Sequence, residues 1–362
     1  MTTNLNILHL STAKIWRGAE RQIVNLYSAL QNNCNQYIVC PTDSPLALYC
    51  SNKNIAYHSI KMGGAIQPIA AYQLYNFVKK NKIDIIHTHD SHAINLFLVA
   101  TYYGLQIPVV ASRRVDFEIG KSILSLWKYN HSHIKKIICV SDAIKTVISP
   151  KIKEKNKIIT IYSGIDIHKI IDKPTNNLHQ YYGITEDITI VGTAAALVPH
   201  KDLHTFIYTA QRLQNHKFHF IIFGKGTEEK NIKTLINSLH LNNITFAGHR
   251  DDIIQCIKGM DIFLFTSKME GLSTTLLDTM ACKIPIVGTR AGGASEILKH
   301  RYNTMTADIG DSNTLSQHIL TLQKEEDIRK QIIENAFTFV QDYDYTITAA
   351  KTLEIYRSVC IQ

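Results

Sequence analysis

Short apolar runs alternate with amphipathic stretches along nearly the whole chain. In the first half, residues 7–10, 37–40, 83–87, 108–112, 137–140 and 158–161 predict buried strands, and the 3.6-residue patterns at 19–31 and 67–80 predict helices between them. The rhythm repeats in the second half with predicted strands at 188–192, 219–223, 244–246, 262–265 and 285–287. Strands separated by helices of this length imply right-handed βαβ units and parallel sheets. Two such sets, in a chain of 362 residues, predict two Rossmann-like, doubly wound α/β domains, 1–170 and 178–340. The polar stretch 167–177, with Lys173-Pro174, reads as the linker, and 345–361 reads as a terminal helix with Ala349, Leu353, Ile355 and Tyr356 partly on one face. No repeat of 20–50 residues is evident.

Composition narrows the class. Hydrophobic residues make up 45% and charged residues 19%, a globular balance, and no apolar run approaches the ~18 residues of a membrane span. The chain enters its first apolar run without a leader pattern, which points to the cytoplasm. Seven cysteines, an odd number with no Cys-x-x-Cys pair, mostly in apolar settings, read as small core residues in a reducing compartment. Histidine is abundant (17), yet the cluster His87, His89 and His92 has no helical zinc spacing, and no metal is expected. Charge is uneven: residues 1–175 carry 21 Lys and Arg against 10 Asp and Glu, a net +11, and residues 176–362 carry 18 against 20, a net −2. An anionic macromolecular partner would therefore meet the first half.

Ligands of open α/β sheets bind beyond the carboxyl ends of strands, so the loops after strands are where chemistry is expected. Loop 11–20 carries Gly18, which reads either as backbone room for a phosphate at a helix N-terminus or as a turn residue. It lacks the Gly-x-Gly-x-x-Gly spacing of dinucleotide folds. Lys201, after the 188–192 strand, can reach a diphosphate or can be a solvated first-turn lysine. Gly224 and Gly226 allow close backbone approach to a nucleotide base or serve turn geometry alone. The segment 267–281 is the most informative. Glu270 lies in a loop, Gly271 permits a turn, Ser273 reads as a helix N-cap, and Asp278 follows on the helix, where it can hold a ribose diol. As isolated acids, Glu270 and Asp278 would read as surface residues.

Taken together, Glu270-Gly-Leu, Leu277-Asp278-Thr-Met-Ala-Cys-Lys-Ile-Pro285 and Ala291-Gly292-Gly293-Ala-Ser-Glu296 resemble retaining glycosyltransferases of family 4, with their Glu-x7-Glu motif and later Gly-Gly turn. The resemblance extends through His87-Thr-His89, Ser141-Asp142, Ser163-Gly164-Ile-Asp166, Leu197–Lys201 and Gly248, and so covers nearly the whole chain. It implies the GT-B architecture, with two domains facing a cleft and the terminal helix 345–362 crossing back onto the first. It also implies a nucleotide-diphosphate sugar as substrate, no metal and no cofactor. By that resemblance His89, Lys201 and Glu270 would be catalytic. Gly18, Gly224, Gly271, Leu272, Ser273 and Asp278 would bind the donor, with Asp278 on the ribose. Three positions depart from the family: Asp278 replaces the second Glu, Ala196 replaces an arginine five positions before Lys201, and Arg17-Gly18 replaces paired glycines. His200, Arg250, Arg113 and Arg114 are the available substitutes for the lost cation.

Other readings have their own marks. A sugar-nucleotide epimerase shares this architecture and would turn over without an acceptor. A degenerate, non-catalytic relative would fail to bind any nucleotide diphosphate. A metal-dependent transferase of the other fold needs Asp-x-Asp after a strand, and Asp342-Tyr-Asp344 lies between helical segments. Nothing beyond the basic charge suggests nucleic acid. The basic half, together with Lys121, Trp127, Lys128, Tyr129, Lys135 and Lys136 beside the apolar 123–126, points to an anionic membrane surface and an envelope-glycan or lipid-linked acceptor. In the alternative, Leu124 and Trp127 pack into the core of a solvated helix.

Overall fold

A computed structural model describes residues 4–63, 67–120 and 122–360, in two compact units: Met1–Gly164 with Tyr345–Gln362, and Ile165–Asp344. The first unit holds a seven-stranded sheet of β1 (Asn6–Leu10), β2 (Asn35–Pro41), β3 (Tyr57–Ile60), β4 (Ile85–Thr88), β5 (Val109–Arg113), β6 (Ile134–Cys139) and β7 (Ile158–Thr160), ordered β3-β2-β1-β4-β5-β6-β7. The second holds six strands: β8 (Thr189–Ala194), β9 (Phe218–Phe223), β10 (Ile244–Gly248), β11 (Ile262–Phe265), β12 (Ile286–Thr289) and β13 (Met305–Ala307), ordered β10-β9-β8-β11-β12-β13. Every ladder is parallel, as βαβ crossovers require. The strand order reverses beside β1 in one sheet and beside β8 in the other. Those switch points are where side chains from neighbouring loops can converge.

Most positions of the central strands are apolar on both faces because helices cover both, His9 and His87 being buried polar exceptions. In the second unit, Val191, Phe220, Ile222, Leu264 and Val287 pack with Phe206, Ile207 and Ile319 from helices Leu203–Arg212 and Ser312–Lys324. Each such fully buried side chain is worth about 1.5–3 kcal/mol in transfer free energy. In the first unit, Ile7, Ile85, Val110 and Ile138 meet Leu26 and Leu30 from helix Gly18–Leu30 and Ala349, Leu353 and Tyr356 from helix Tyr345–Cys360. That terminal helix belongs to the first unit's core although the whole second unit separates it in sequence. Six of the seven cysteines are buried and the seventh, Cys360, is half-buried.

Two strands were not predicted. Strand β3 is an edge strand with Tyr57 and His58 exposed, and β13 is three residues long with a central Thr306. The first part of the stretch read as linker is helical instead, and 172–177 has neither helix nor strand. Asp166 Oδ1 accepts from the Lys169 N–H at 3.0 Å and starts helix Ile167–Ile171, because Ile167 and Ile170, three apart, bury on one face. No helix among the described residues is long and apolar enough to cross a membrane.

Candidate active site

At the carboxyl edge of the second sheet, loops after β8 and β11 bring Lys201 and Glu270 together. The chain leaves β8, makes a 3-10 turn at Pro199–Lys201, and enters its next helix through Asp202 in a left-handed conformation (φ 48°). Asp202 is held there by Thr205 Oγ1 at 2.6 Å and Lys268 Nζ at 3.1 Å. The loop after β11 is laced to this turn: the Lys268 N–H donates to the His200 carbonyl at 2.8 Å, and Thr266 Oγ1 donates to the Lys201 carbonyl at 3.2 Å. Lys201 Nζ consequently bonds Glu270 Oε1 directly, and Ser267 Oγ donates to the same oxygen at 3.0 Å. Both side chains are mostly withdrawn from solvent, 18% and 10% exposed, where a charge-assisted bond is stronger than at an open surface. Asp278 is also buried, unlike an isolated surface acid. It lies on helix Thr274–Ala281 one turn before Cys282, whose thiol burial pushes up to about 12, with Asp278 adding to the effect.

Other residues from the same loops take different parts from those expected. Ser273 stands at the N-cap of helix Thr274–Ala281 but makes no side-chain cap bond. Its φ of 73° lies in the left-handed region, so its contribution is a turn rather than a hydroxyl cap. Gly271 and Leu272 are buried beneath this turn. Gly224, at φ 147°, would place a Cβ 1.9 Å from the Ala195 carbonyl oxygen, and Gly226 would meet the Leu197 carbonyl at 2.3 Å. The close approach these glycines permit is therefore to the chain's own 195–197 loop, which is bonded to the residues preceding each glycine through Ala195 N–H to Phe223 O and Leu197 N–H to Lys225 O. Ala196 is exposed, and two suggested substitutes for its missing arginine are engaged elsewhere. Arg250 forks onto Asp252 at 2.8 and 2.7 Å and stacks on Tyr181, and Arg113 is buried against Tyr129 and the Phe117 carbonyl.

The first unit gathers imidazoles at its own switch point. His9 on β1 pairs in register with His87 on β4, and His89 follows two residues on, so all three rings share one sheet face. All three are buried, and donor atoms of the three rings lie within 4.8 Å of one another among the described residues. His92, expected nearby from sequence, is not in this group. Burial, with the neighbouring rings and Arg114 adding to it for His87 and His89, lowers all three pKa values, that of His9 to about 4. His87 is fixed between Tyr356 Oη at 2.5 Å and Ser112 Oγ at 2.8 Å. Helix Gly18–Leu30 begins at the exposed Gly18, where the Arg17 N–H donates to Glu20 Oε2 at 2.8 Å. Asp90 accepts from Thr12 N–H and Oγ1 at 2.7 and 2.6 Å while capping helix Ser91–Thr101, which closes the loop after β1 onto the loop after β4. Sequence reasoning missed His9 and Thr12, because only strand register brings them beside His89 and Asp90. Asp342-Tyr-Asp344 lies at a 3-10 turn between helices and does not follow a strand.

Two doubly wound parallel-sheet units, each collecting polar side chains where its strand order reverses, define the GT-B class. Within that class the family models for "Glycosyltransferase Family 4" and "Glycosyl transferases group 1" match residues 16–169 and 175–339, and the chain belongs to this glycosyltransferase family. It is 26% identical to an uncharacterised glycosyltransferase of Methanocaldococcus jannaschii over 85% of this chain and 86% of the relative. It is 21% identical to an Escherichia coli UDP-Gal:alpha-D-GlcNAc-diphosphoundecaprenol alpha-1,3-galactosyltransferase over 94% and 95% of the two chains. Anabaena HepE, solved in complex with UDP, superimposes with a TM-score of 0.84 at 21% identity, covering 98% of this chain and all of that one.

Proposed function

We propose that this glycosyltransferase is retaining and metal-independent, and moves a sugar from a nucleotide-diphosphate donor to a lipid-linked or envelope-glycan acceptor. The observation that carries this reading is the Lys201–Glu270 pair beside the start of helix Thr274–Ala281. A fixed ammonium at a switch point can take up the charge of a departing diphosphate, the work a divalent cation does in other transferases. Glu270 Oε1 receives both Lys201 and Ser267, which leaves Oε2 to accept from donor sugar hydroxyls. Backbone amides from Gly271 to Ser273 face the phosphates, Asp278 takes the ribose, and Gly224 shapes the loop beneath the base. From the first unit Gly18 serves the diphosphate and His89 the transferred sugar. The acceptor hydroxyl attacks from the face the phosphate leaves, so the anomeric configuration is kept. UDP in HepE, and the donor and acceptor named for the E. coli relative, support a uridine donor and a polyprenyl-linked or glycan acceptor.

The same reading places the enzyme peripherally on the inner face of the cytoplasmic membrane, through the basic first half. Ile123 and Leu124 are 84% and 77% exposed and Trp127 is half exposed, so the core-packed alternative does not hold for them. Lys128 and Tyr129 take no part: Lys128 Nζ is turned inward onto Ser91 Oγ at 2.6 Å and Tyr129 is buried. Lys121 lies outside the described residues. A thermal-shift panel of UDP, GDP, ADP and their sugars tests the donor assignment. Binding to the native state alone raises the melting temperature by mass action, and UDP and UDP-sugars are expected to give the largest rise. No shift with any nucleotide diphosphate would remove the proposal and favour a non-catalytic relative.

A further inference from the structure

The three-histidine cluster invites a metal, but its bonds are already accounted for. Both His87 nitrogens meet hydroxyls, His9 and His89 bond each other and one further group each, and the Arg114 guanidinium stands 3.5 Å from His89. The cluster contains no carboxylate or thiolate to offset a dication beside that arginine. The hydrogen bonds carry different information.

Gln36 on β2 donates its amide Nε2–H to the Tyr27 carbonyl at 2.8 Å, which sets the orientation of the amide. Gln36 Oε1 is thereby aimed at His9 Nε2, 3.0 Å away. An amide oxygen only accepts, so His9 Nε2 carries the proton. The buried ring is neutral and has one proton to give, so His9 Nδ1 is bare. His89 Nε2 lies 3.1 Å from that lone pair and must donate to it, which leaves His89 Nδ1 bare in turn. At the far end the group facing His89 Nδ1 is Arg114 Nη2, which only donates. The two single-role groups, one at each end, demand the same polarity through both rings.

We infer that Gln36, acting through His9, fixes His89 as its Nε2–H tautomer and so presents His89 Nδ1 as a hydrogen-bond acceptor. This rests on the role given to His89 above and goes one step beyond it. Gln36 and His9 are positioning residues, in the way a third group orients the imidazole of a catalytic triad. The 3.5 Å contact from Arg114 is long for a hydrogen bond, so Nδ1 is held ready rather than saturated. A sugar or acceptor hydroxyl, which can donate, suits that nitrogen. A phosphate oxygen, which cannot, does not.

The primary test is 15N NMR of histidine-labelled protein without substrate, so it stands or falls apart from the reaction assignment. His9 and His89 should both show a pyridine-like Nδ1 and a pyrrole-like Nε2. A pyrrole-like Nδ1 on His89 in the wild-type protein overturns the inference, with no variant needed. Gln36→Met, close in volume but without the acceptor, should weaken that preference in both rings, since only the long Arg114 contact is left to favour it. Gln36→Glu should restore it, because its half-buried carboxyl still offers an oxygen that accepts from His9 Nε2. With the donor identified by the thermal-shift panel, Gln36→Met should lower kcat roughly tenfold at little cost in donor KM, and Gln36→Glu should recover most of it. Unchanged tautomers in Gln36→Met, or unchanged kcat in Gln36→Met when His89→Ala is inactive, overturns the inference. Full activity of His89→Ala would instead strike the role of His89 under the proposed function.

Discussion

The backbone N–H of Gly293 donates to the carbonyl of Glu270 at 2.8 Å. The Gly292-Gly293 turn, with Gly292 at φ 48°, therefore holds the acidic loop by its main chain and leaves the Glu270 carboxylate free to meet Lys201. Thr289 Oγ1 reinforces the same loop by donating to the Ser267 carbonyl at 2.6 Å. The motif read from sequence as two separate stations is one hydrogen-bonded unit.

Glu270→Gln should lower turnover by ~10²-fold or more, because a preorganised carboxylate contributes most in the transition state. Lys201→Met should lower it comparably, and the double variant should lose less than the product of the two, since the residues act as a pair. EDTA should leave wild-type activity nearly unchanged. Steady-state rates on variants of confirmed circular dichroism decide the matter. Wild-type turnover in Glu270→Gln, or loss with EDTA that Mg²⁺ restores, would contradict the assignment.

Acidification should destabilise the first unit before its carboxylates titrate. His9, His87 and His89 are held neutral by burial, so their folded pKa values lie below the unfolded 6.5. The unfolded chain then binds protons that the native state refuses, and stability present above 6.5 is lost as pH falls through the window down to about 4 for His9. For His9 alone the difference is on the order of 3 kcal/mol. Urea midpoints at about pH 7.5 and about pH 5 measure it, and a pH-independent midpoint would show that the cluster accepts protons when folded.

Vesicle co-sedimentation at low and high salt tests the membrane face. Binding should require anionic lipid and weaken as salt screens exposed lysines. Replacing Ile123 and Leu124 by serine should reduce it without lowering the melting temperature, since neither side chain is core. Equal recovery in the supernatant with neutral and anionic vesicles at low salt would end the idea.

Tyr356→Phe should cost roughly 1–3 kcal/mol by leaving the buried His87 Nδ1 without its partner. Deleting residues 345–362 removes Ala349, Leu353 and Val359 from the core as well and should leave the protein aggregation-prone. Calorimetry and light scattering read both, and an unchanged melting temperature for the truncated protein would contradict the docking of this helix.

The buried strands were legible because a strand covered on both faces is written as an unbroken apolar run, as in 262–265. Strand β3 escaped because an exposed edge strand such as Tyr-His-Ser-Ile needs no such run. Lys201 and Glu270 were legible as motif residues, yet their contact follows from the Thr266 and Lys268 bonds to the 200–201 turn, which no spacing encodes. The Gln36–His9–His89 chain was illegible for a related reason. Its members sit on β2, on β1 and beyond the end of β4, and only the parallel register of those strands aligns them. Ser273 carried the right residue type for a cap, but its backbone dihedral decides against that, and composition does not report φ.

The terminal helix bears on how the protein is made. During synthesis the first unit's strands emerge before the second unit, while the helix whose Tyr356 meets His87, 269 residues away, emerges only after it. Until then Ile7, Ile85 and Val110 have only helix Gly18–Leu30 for cover, whereas every strand of the second unit has already been translated. The second unit can therefore mature first on the ribosome, and the first, unfinished and apolar, is the part that calls for a chaperone. Because Tyr356 bonds His87, the buried histidine cluster is completed only when that helix arrives, after the second unit.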